Sequence, residues 1–466
     1  MKNMTLETIT KVCGGVYVGD PTFKTREIGG AVIDSRLVEK DDLFIPIRGA
    51  RVDGHTFIPA VFEKGALATL CESRPECFCT PYILVDSCEA AMKKLAEYYR
   101  ASLGIKVVGI TGSVGKTSTK EMIAAVLSQK YKVLKTEGNR NNELGLPLTV
   151  FKIRQEHEVA VLEMGISEFG EMDRLAQMAR PDICVITNIG LCHLENLQDR
   201  DGVLRAKTES FAHLSEDGIA VLNGDDDKLC HYTQVNGRPA VFYGIERVSK
   251  EGAKREVYAT DIEPLGILGV RANIHIGEEN FFVDIPIAGE HNVYNALAAV
   301  CVGRQLGLST EEMKRGIASV QTIGGRSNLM QSGGLTVIDD CYNANPVSMK
   351  AAIDVLSQAS GRKIAVLGDM GELGKEERTL HAVVGEHFAG KEIDALFCTG
   401  SLARELAVTA ERHSPKTKVS WFATREELLR ALCDFVKTGD TVLVKASHFM
   451  GFSEIVKSLC KDRRDA

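Results

Sequence analysis

A short apolar run, KVVGI (106–110), leads directly into GITGSVGKTSTK (109–120), and Met122, Ile123, Val126 and Leu127 then fall on one helical face. A buried strand, a Gly-rich turn and a helix in immediate succession form a phosphate-loop unit, and such units belong to parallel α/β sheets. Gly112 and Gly115 lack the Cβ that would keep backbone N–H groups away from phosphate oxygens. With Ser113, Val114 and Ser118 they form a loop at a positive helix N-terminus, where a polyphosphate is favoured. Lys116 has the reach for β- and γ-phosphates, and Thr117 offers a hydroxyl to Mg²⁺. The spacing departs slightly from GxxxxGK[ST], since five residues rather than four separate Gly109 from Gly115. The competing reading is a Gly-rich turn with an accidental Lys-Thr.

The rest of the chain continues the α/β pattern. Its 466 residues call for several domains. Residues 1–86 alternate short strands, AVIDSR (31–36) and DLFIPIRG (42–49) among them, with one helical stretch over 56–64. Residues 87–323 begin with a linking helix over 88–103 and continue through the strands VAVLEMG (159–165) and ICVITNIG (183–190). Alternating strands over 240–287 predict an antiparallel appendage, and a helix over 291–306 ends at Gly307. Residues 324–466 carry a second series, with strands at 335–340, 363–369, 395–400, 419–422 and 441–447. The expected fold is therefore α/β in three domains. A small N-terminal α/β domain (1–86) precedes a central P-loop parallel-sheet ATPase domain with an antiparallel appendage (87–323). A C-terminal Rossmann-like doubly wound domain (324–466) follows.

Composition removes several classes. Lys+Arg number 56 and Asp+Glu 63, a net charge of −7, so no global nucleic-acid footprint is present. No apolar run reaches the length of a membrane helix, and MKNMTLETITKVCGG lacks the apolar core of a signal peptide, which predicts a cytoplasmic protein. The 13 cysteines contain no CxxC pair. Cys71, Cys77, Cys79 and Cys88 come nearest to a cluster, and reduced thiols are expected there ahead of zinc.

Open α/β sheets bind ligands beyond the carboxyl ends of their strands. Glu163 ends VAVLE and His193 follows ICVITNIG, so both are candidates to flank the phosphate loop and hold Mg²⁺. Taken alone, each is also explained structurally, Glu163 as a helix N-terminal partner and His193 as a hydrogen-bonded histidine. Lys207 reads as an ordinary surface lysine on a helix.

Six segments extend this reading in order: TGSVGKTSTKEM (111–122), TEGNRNNELGLPLT (136–149), LEMGISEFGEM (162–172), TNIGLCHLENL (187–197), AGEHNVYNALAA (288–299) and DDCYNANPVSM (339–349). Together they closely resemble the Mur ligases of bacterial cell-wall synthesis, over nearly the whole chain. DDCYNANP and VLGDMGELG (366–374) look most like the branch that joins D-alanyl-D-alanine to UDP-N-acetylmuramoyl-tripeptide. The resemblance implies that the first domain binds the UDP-sugar-peptide, the second ATP and the third the incoming amino component. It implies nucleotide-sugar contacts at Ser35 and Arg36 of Asp34-Ser35-Arg36, with Asp53, Gly54 and His55 in the following loop, and at Asn141 and Asn142. It places the phosphate lysine at Lys116, Mg²⁺ ligands at Thr117, Glu163 and His193, and a carbamylated lysine at Lys207. Adenine contacts fall on Asn292 and Asn295, and Arg326 and Asp340 are third-domain residues that close on the nucleotide.

One segment departs from the family's pattern. KASHFMGFSE (445–454) has His448 where the family's KGSR carries Arg, and one apparent extra residue. A sibling ligase with a different amine stays open on that ground, as does a phosphate-loop switch that makes no bond. A monomer is expected, since no heptad or long apolar stripe stands out.

Overall fold

The structure, a computed structural model, describes residues 1–49, 51–75, 81–248 and 254–461. Among them the chain forms three principal sheets of five, nine and six strands, with a small two-stranded ribbon.

The first sheet runs Val16–Val18, Tyr82–Leu84, Ala68–Cys71, Leu43–Phe44, Ala31–Val32 from edge to edge, parallel except for its first strand. Its strands are shorter than the sequence suggests. Ala31–Val32 stops because the Asp34 carboxylate accepts the Arg36 backbone N–H at 2.9 Å, closing a turn that no ladder can follow. Helix Cys88–Ser102 begins where Ser87 Oγ accepts from Ala90 N at 3.2 Å. Met92, Leu95, Ala96 and Tyr99 on its inner face join one apolar core that runs from Leu6 and Ile9 of the first helix to Leu146 and Leu175 beside the central sheet. The first two sheets thus share a core.

In the central sheet the strand order is Glu279–Ile285, Val270–Ile276, Val257–Pro264, Val241–Ile245, Ile219–Asn223, Ile183–Ile186, Lys106–Thr111, Val159–Glu163, Val133–Lys135. The seven strands from Val133 to Pro264 in space are parallel, and the remaining two are antiparallel. The antiparallel part is therefore narrower than 240–287 and continuous with the parallel sheet. Val241–Ile245 belongs to the parallel part because Phe242, Tyr243 and Gly244 are all buried, the condition of a strand covered on both faces. Helix His291–Gln305 is buried on nearly every side against this sheet and helix Lys116–Leu127.

The third sheet runs Asn328–Ser332, Leu335–Asp339, Thr441–Lys445, Lys363–Leu367, Ala395–Thr399, Lys418–Phe422, parallel throughout except for the hairpin at its first edge. It has apolar clusters on both faces, around Ile353 and Leu406 and around Leu432 and Phe452.

Of the thiols, Cys71 and Cys88 are buried, and Cys77 and Cys79 lie outside the described residues. His55, distant in sequence, brings Nε2 to 3.9 Å from Cys88 Sγ. Among the described residues no group of three or more His, Cys, Asp or Glu could hold a metal.

Candidate functional site

Neighbouring parallel strands set the site. Ile110 lies opposite Glu163, and Thr111 opposite Ile186, so the loops after all three strands open on one side. Gly112 has φ +149° and Gly115 +85°, and Gly115 starts helix Lys116–Leu127 in a left-handed conformation. The segment after Ile183–Ile186 braces the loop. Thr187 Oγ1 and Asn188 Nδ2 donate to Val114 O at 2.6 and 3.0 Å, and Asn188 Oδ1 accepts from Val114 N at 3.0 Å. Ser113 Oγ accepts from Gly190 N at 2.8 Å, and Cys192 Sγ lies 3.2 Å from the same oxygen. Lys116 Nζ donates to Gly112 O at 2.9 Å, folded back over the loop it is expected to serve.

Glu163 is 1 % exposed. Thr117 Oγ1 donates to its Oε2 at 2.8 Å, and Asn141 Nδ2 to its Oε1 at 2.9 Å. A buried carboxylate needs such partners. Lys120 supplies charge balance, with Nζ 3.8 Å from Glu163 Oε2 and bonded to Thr136 O at 2.7 Å. Lys207 is also buried, at 1 %. Burial pushes its ammonium down to about 8, and the Lys116 charge adds to the effect. Asn295 Oδ1 accepts from Thr119 Oγ1 at 2.8 Å, and its Nδ2 donates to Asn292 Oδ1 at 2.9 Å, so both asparagines stand against the phosphate-loop helix.

The C-terminal unit reaches the same place. Thr117, Ser118, Glu121, Asn292, Arg326 and Ser327 line one narrow cleft. The Arg326 guanidinium lies over the Tyr342 ring at 4.0 Å, and the His448 ring stands 5.5 Å from that of Tyr342. Asp340 Oδ1 accepts from Ser327 N at 2.9 Å, and its Oδ2 pairs with buried Lys445 at 2.6 Å. His193 Nδ1 lies 2.7 Å from Glu372 Oε2, in the segment VLGDMGELG.

Three family models match the chain in succession. "Mur ligase family, catalytic domain" covers residues 27–111, "Mur ligase middle domain" 110–303, and "Mur ligase, glutamate ligase domain" 325–448. The UDP-N-acetylmuramoyl-tripeptide--D-alanyl-D-alanine ligase of Bacillus subtilis (strain 168) is 39% identical, over 98% of this chain and 99% of its own. The chain belongs to the Mur ligase family. The protein of the same name from Escherichia coli (strain K12) is 33% identical, again over 98% and 99%. A crystal structure of MurF from Acinetobacter baumannii superposes with a TM-score of 0.88 at 32% identity, covering 98% of this chain and 99% of that one. The MurF ligase of Thermotoga maritima in complex with ADP gives 0.80 at 30% identity, over 93% and 97%.

Not every residue that the Mur ligase resemblance singled out reaches the cleft. Asn142 Oδ1 accepts from Gly145 N at 2.8 Å and so starts helix Gly145–Val150, while Asn141 holds Glu163. Ser35 O accepts from Lys64 Nζ at 2.9 Å, and the Arg36 side chain, 85% exposed, is forked on Asp34. Among the described residues no hydrogen bond links Ser35 or Arg36 to the phosphate loop. Conversely, the buried lysines Lys120 and Lys445 went unread, because a lysine in sequence looks like a surface residue. Their only signal was adjacency, Lys120 to the phosphate-loop motif and Lys445 to the start of KASHFMGFSE.

The Thr117 hydroxyl and Glu163 carboxylate, 2.8 Å apart, suit Mg²⁺. That ion takes few protein oxygens and completes its shell with water and phosphate.

Proposed function

We propose that this chain is an ATP-dependent amide ligase that joins D-alanyl-D-alanine to UDP-N-acetylmuramoyl-tripeptide, releasing ADP and phosphate, in peptidoglycan precursor synthesis. The observation that carries the reading is the composite cleft. Thr117 and Ser118 of the phosphate-loop helix, Asn292 of the central unit and Arg326 of the C-terminal unit line one cavity. A switch that only binds nucleotide has no need of a separate amine-binding unit at its phosphates, and the full-length likeness to ligases of this name supports the same conclusion.

The three domains, 1–86, 87–323 and 324–466, receive the sugar-peptide, ATP and the dipeptide respectively. Ser35, Arg36, Asn141 and Asn142 serve the nucleotide-sugar. Loop residues Gly112 to Ser118 hold the phosphates, and Asn292 and Asn295 the adenine. The tripeptide carboxylate attacks the γ-phosphate to give an acyl phosphate, and the amine of the dipeptide then displaces phosphate. Such transfer rests on positioning and charge neutralisation. Lys116 turns from Gly112 O to the phosphates, and Arg326 places a guanidinium at the same cleft. Thr117, Glu163 and His193 would hold Mg²⁺, which neutralises phosphate charge when bound. Carbamylation of Lys207 converts a buried, weakly basic amine into an anion. Closure of the C-terminal domain keeps water from the acyl phosphate. Among the described residues no helix is long and apolar enough to cross a membrane. We take the protein to act in the cytoplasm, as a monomer.

Phosphate release from Mg²⁺·ATP, with each substrate omitted in turn, tests this. Release is expected only when UDP-N-acetylmuramoyl-tripeptide and D-alanyl-D-alanine are both present. ATP hydrolysis without either would overturn the ligase reading. A different amine is the second reading, favoured by His448 beside Tyr342, the ring on which Arg326 of the cleft is stacked. The product mass separates the two.

A further inference from the structure

His193 and Glu372 meet across the boundary between the central and C-terminal units. His193 Nδ1 lies 2.7 Å from Glu372 Oε2. Both residues hold left-handed backbone conformations, with φ +51° and +62°. Neither is glycine, and such strain persists where surrounding structure or function demands it. The contact extends beyond one pair of atoms, since a Cβ on Gly374 would stand 3.8 Å from Leu194 Cβ and 3.9 Å from Glu195 N. The segment Glu372–Gly374 therefore rests on the segment 193–195.

The pair is a weak candidate for a stabilising device. Its side chains are 25% and 62% exposed, and exposed ion pairs contribute little to folding. Its chemistry points elsewhere. A carboxylate 2.7 Å from Nδ1 favours the proton on that nitrogen electrostatically, which leaves the Nε2 lone pair available. Among the described residues Nε2 of His193 makes no hydrogen bond. An imidazole held in this way is oriented to bind a cation through Nε2, and such outer carboxylates tune the affinity of the ligand they hold.

We propose that Glu372 is a positioning residue. Its carboxylate holds His193 by Nδ1, so that seating of the C-terminal unit completes the divalent-cation site of the central one. Cation binding and domain closure are then two readouts of one contact. This rests on the reading of His193 as a metal ligand. Ser447 Oγ accepts from Gly371 N at 2.9 Å, so the start of the variant C-terminal segment steadies the loop that carries Glu372.

The test uses the full chain with a non-hydrolysable ATP analogue and Mn²⁺ as the probe, with bound ion read by electron paramagnetic resonance. Glu372→Ala is expected to weaken Mn²⁺ binding about tenfold. Glu372→Gln, which keeps an acceptor for Nδ1–H, retains most of the affinity. His193→Ala weakens binding as well, and adding Glu372→Ala to it causes no further loss. Small-angle scattering should show the Glu372→Ala protein more open than the wild type when the ion and analogue are bound. If His193→Ala weakens binding but Glu372→Ala does not, or if the two losses add, the proposal fails while the reading of His193 stands. If His193→Ala leaves Mn²⁺ binding unchanged, that reading fails and the proposal with it. Circular dichroism of each variant checks that the fold is intact.

Discussion

Lys207 shows how far a single residue can depart from its sequence appearance. On a helix between Arg205 and Thr208 it reads as solvated, yet it is buried and its ammonium is pushed down to about 8. The unfolded chain keeps an ordinary lysine, so between pH 8 and the usual lysine range it binds more protons than the folded one. Stability from this group therefore rises with pH across that window, and below it the folded chain carries a buried charge at a cost. That cost is on the order of 3 kcal/mol. In CO₂-free buffer at pH 7, Lys207→Met is expected to raise the melting temperature while turnover is lost. A lower melting temperature would contradict the burial argument. Glu163 was legible as a strand-end carboxylate, but its pairing with Thr117 depends on two strands becoming neighbours across 46 positions, which no local pattern encodes.

At the scale of elements, the phosphate-loop unit was the most legible part of the chain. The strand read as 106–110 is Lys106–Thr111, and the helix begins at Lys116 as expected. ICVITNIG was read as one strand, but pairing ends at Ile186 because Thr187 and Asn188 turn their side chains to Val114. That bracing explains why Gly112 tolerates nothing larger. A Cβ there would lie 1.9 Å from Thr187 Oγ1, at a φ of +149°. Gly112→Ala is expected to cost about 2–4 kcal/mol and to impair nucleotide binding. A denaturation midpoint equal to that of the wild type would show that the loop can move aside. The strands Ile219–Asn223 and Val257–Pro264 escape the sequence reading, the first although Asp217-Gly218 and Asn223-Gly224 flank it, the second because its exposed half is polar.

The whole molecule places Arg326 where the C-terminal unit meets the Gly112–Ser118 loop and its helix, stacked on Tyr342 and not held by an ion pair among the described residues. Arg326→Ala should cut turnover by about a hundredfold if the guanidinium stabilises developing charge. The melting temperature should be nearly unchanged, and an unaltered rate would remove Arg326 from the reaction. The order of the motifs made the three-part architecture legible, but it did not say which parts are fused. The apolar core carried by helix Cys88–Ser102 answers that, since it runs unbroken from the first sheet into the second, while the clusters of the third sheet take only Ala288 and Ile267 from the central unit. Calorimetry should accordingly resolve two cooperative transitions, not three, and ligands spanning the cleft should draw them together. In mechanical terms, two sheets on one core make a single long arm, and the third sheet, packed mainly around clusters of its own, makes the short one.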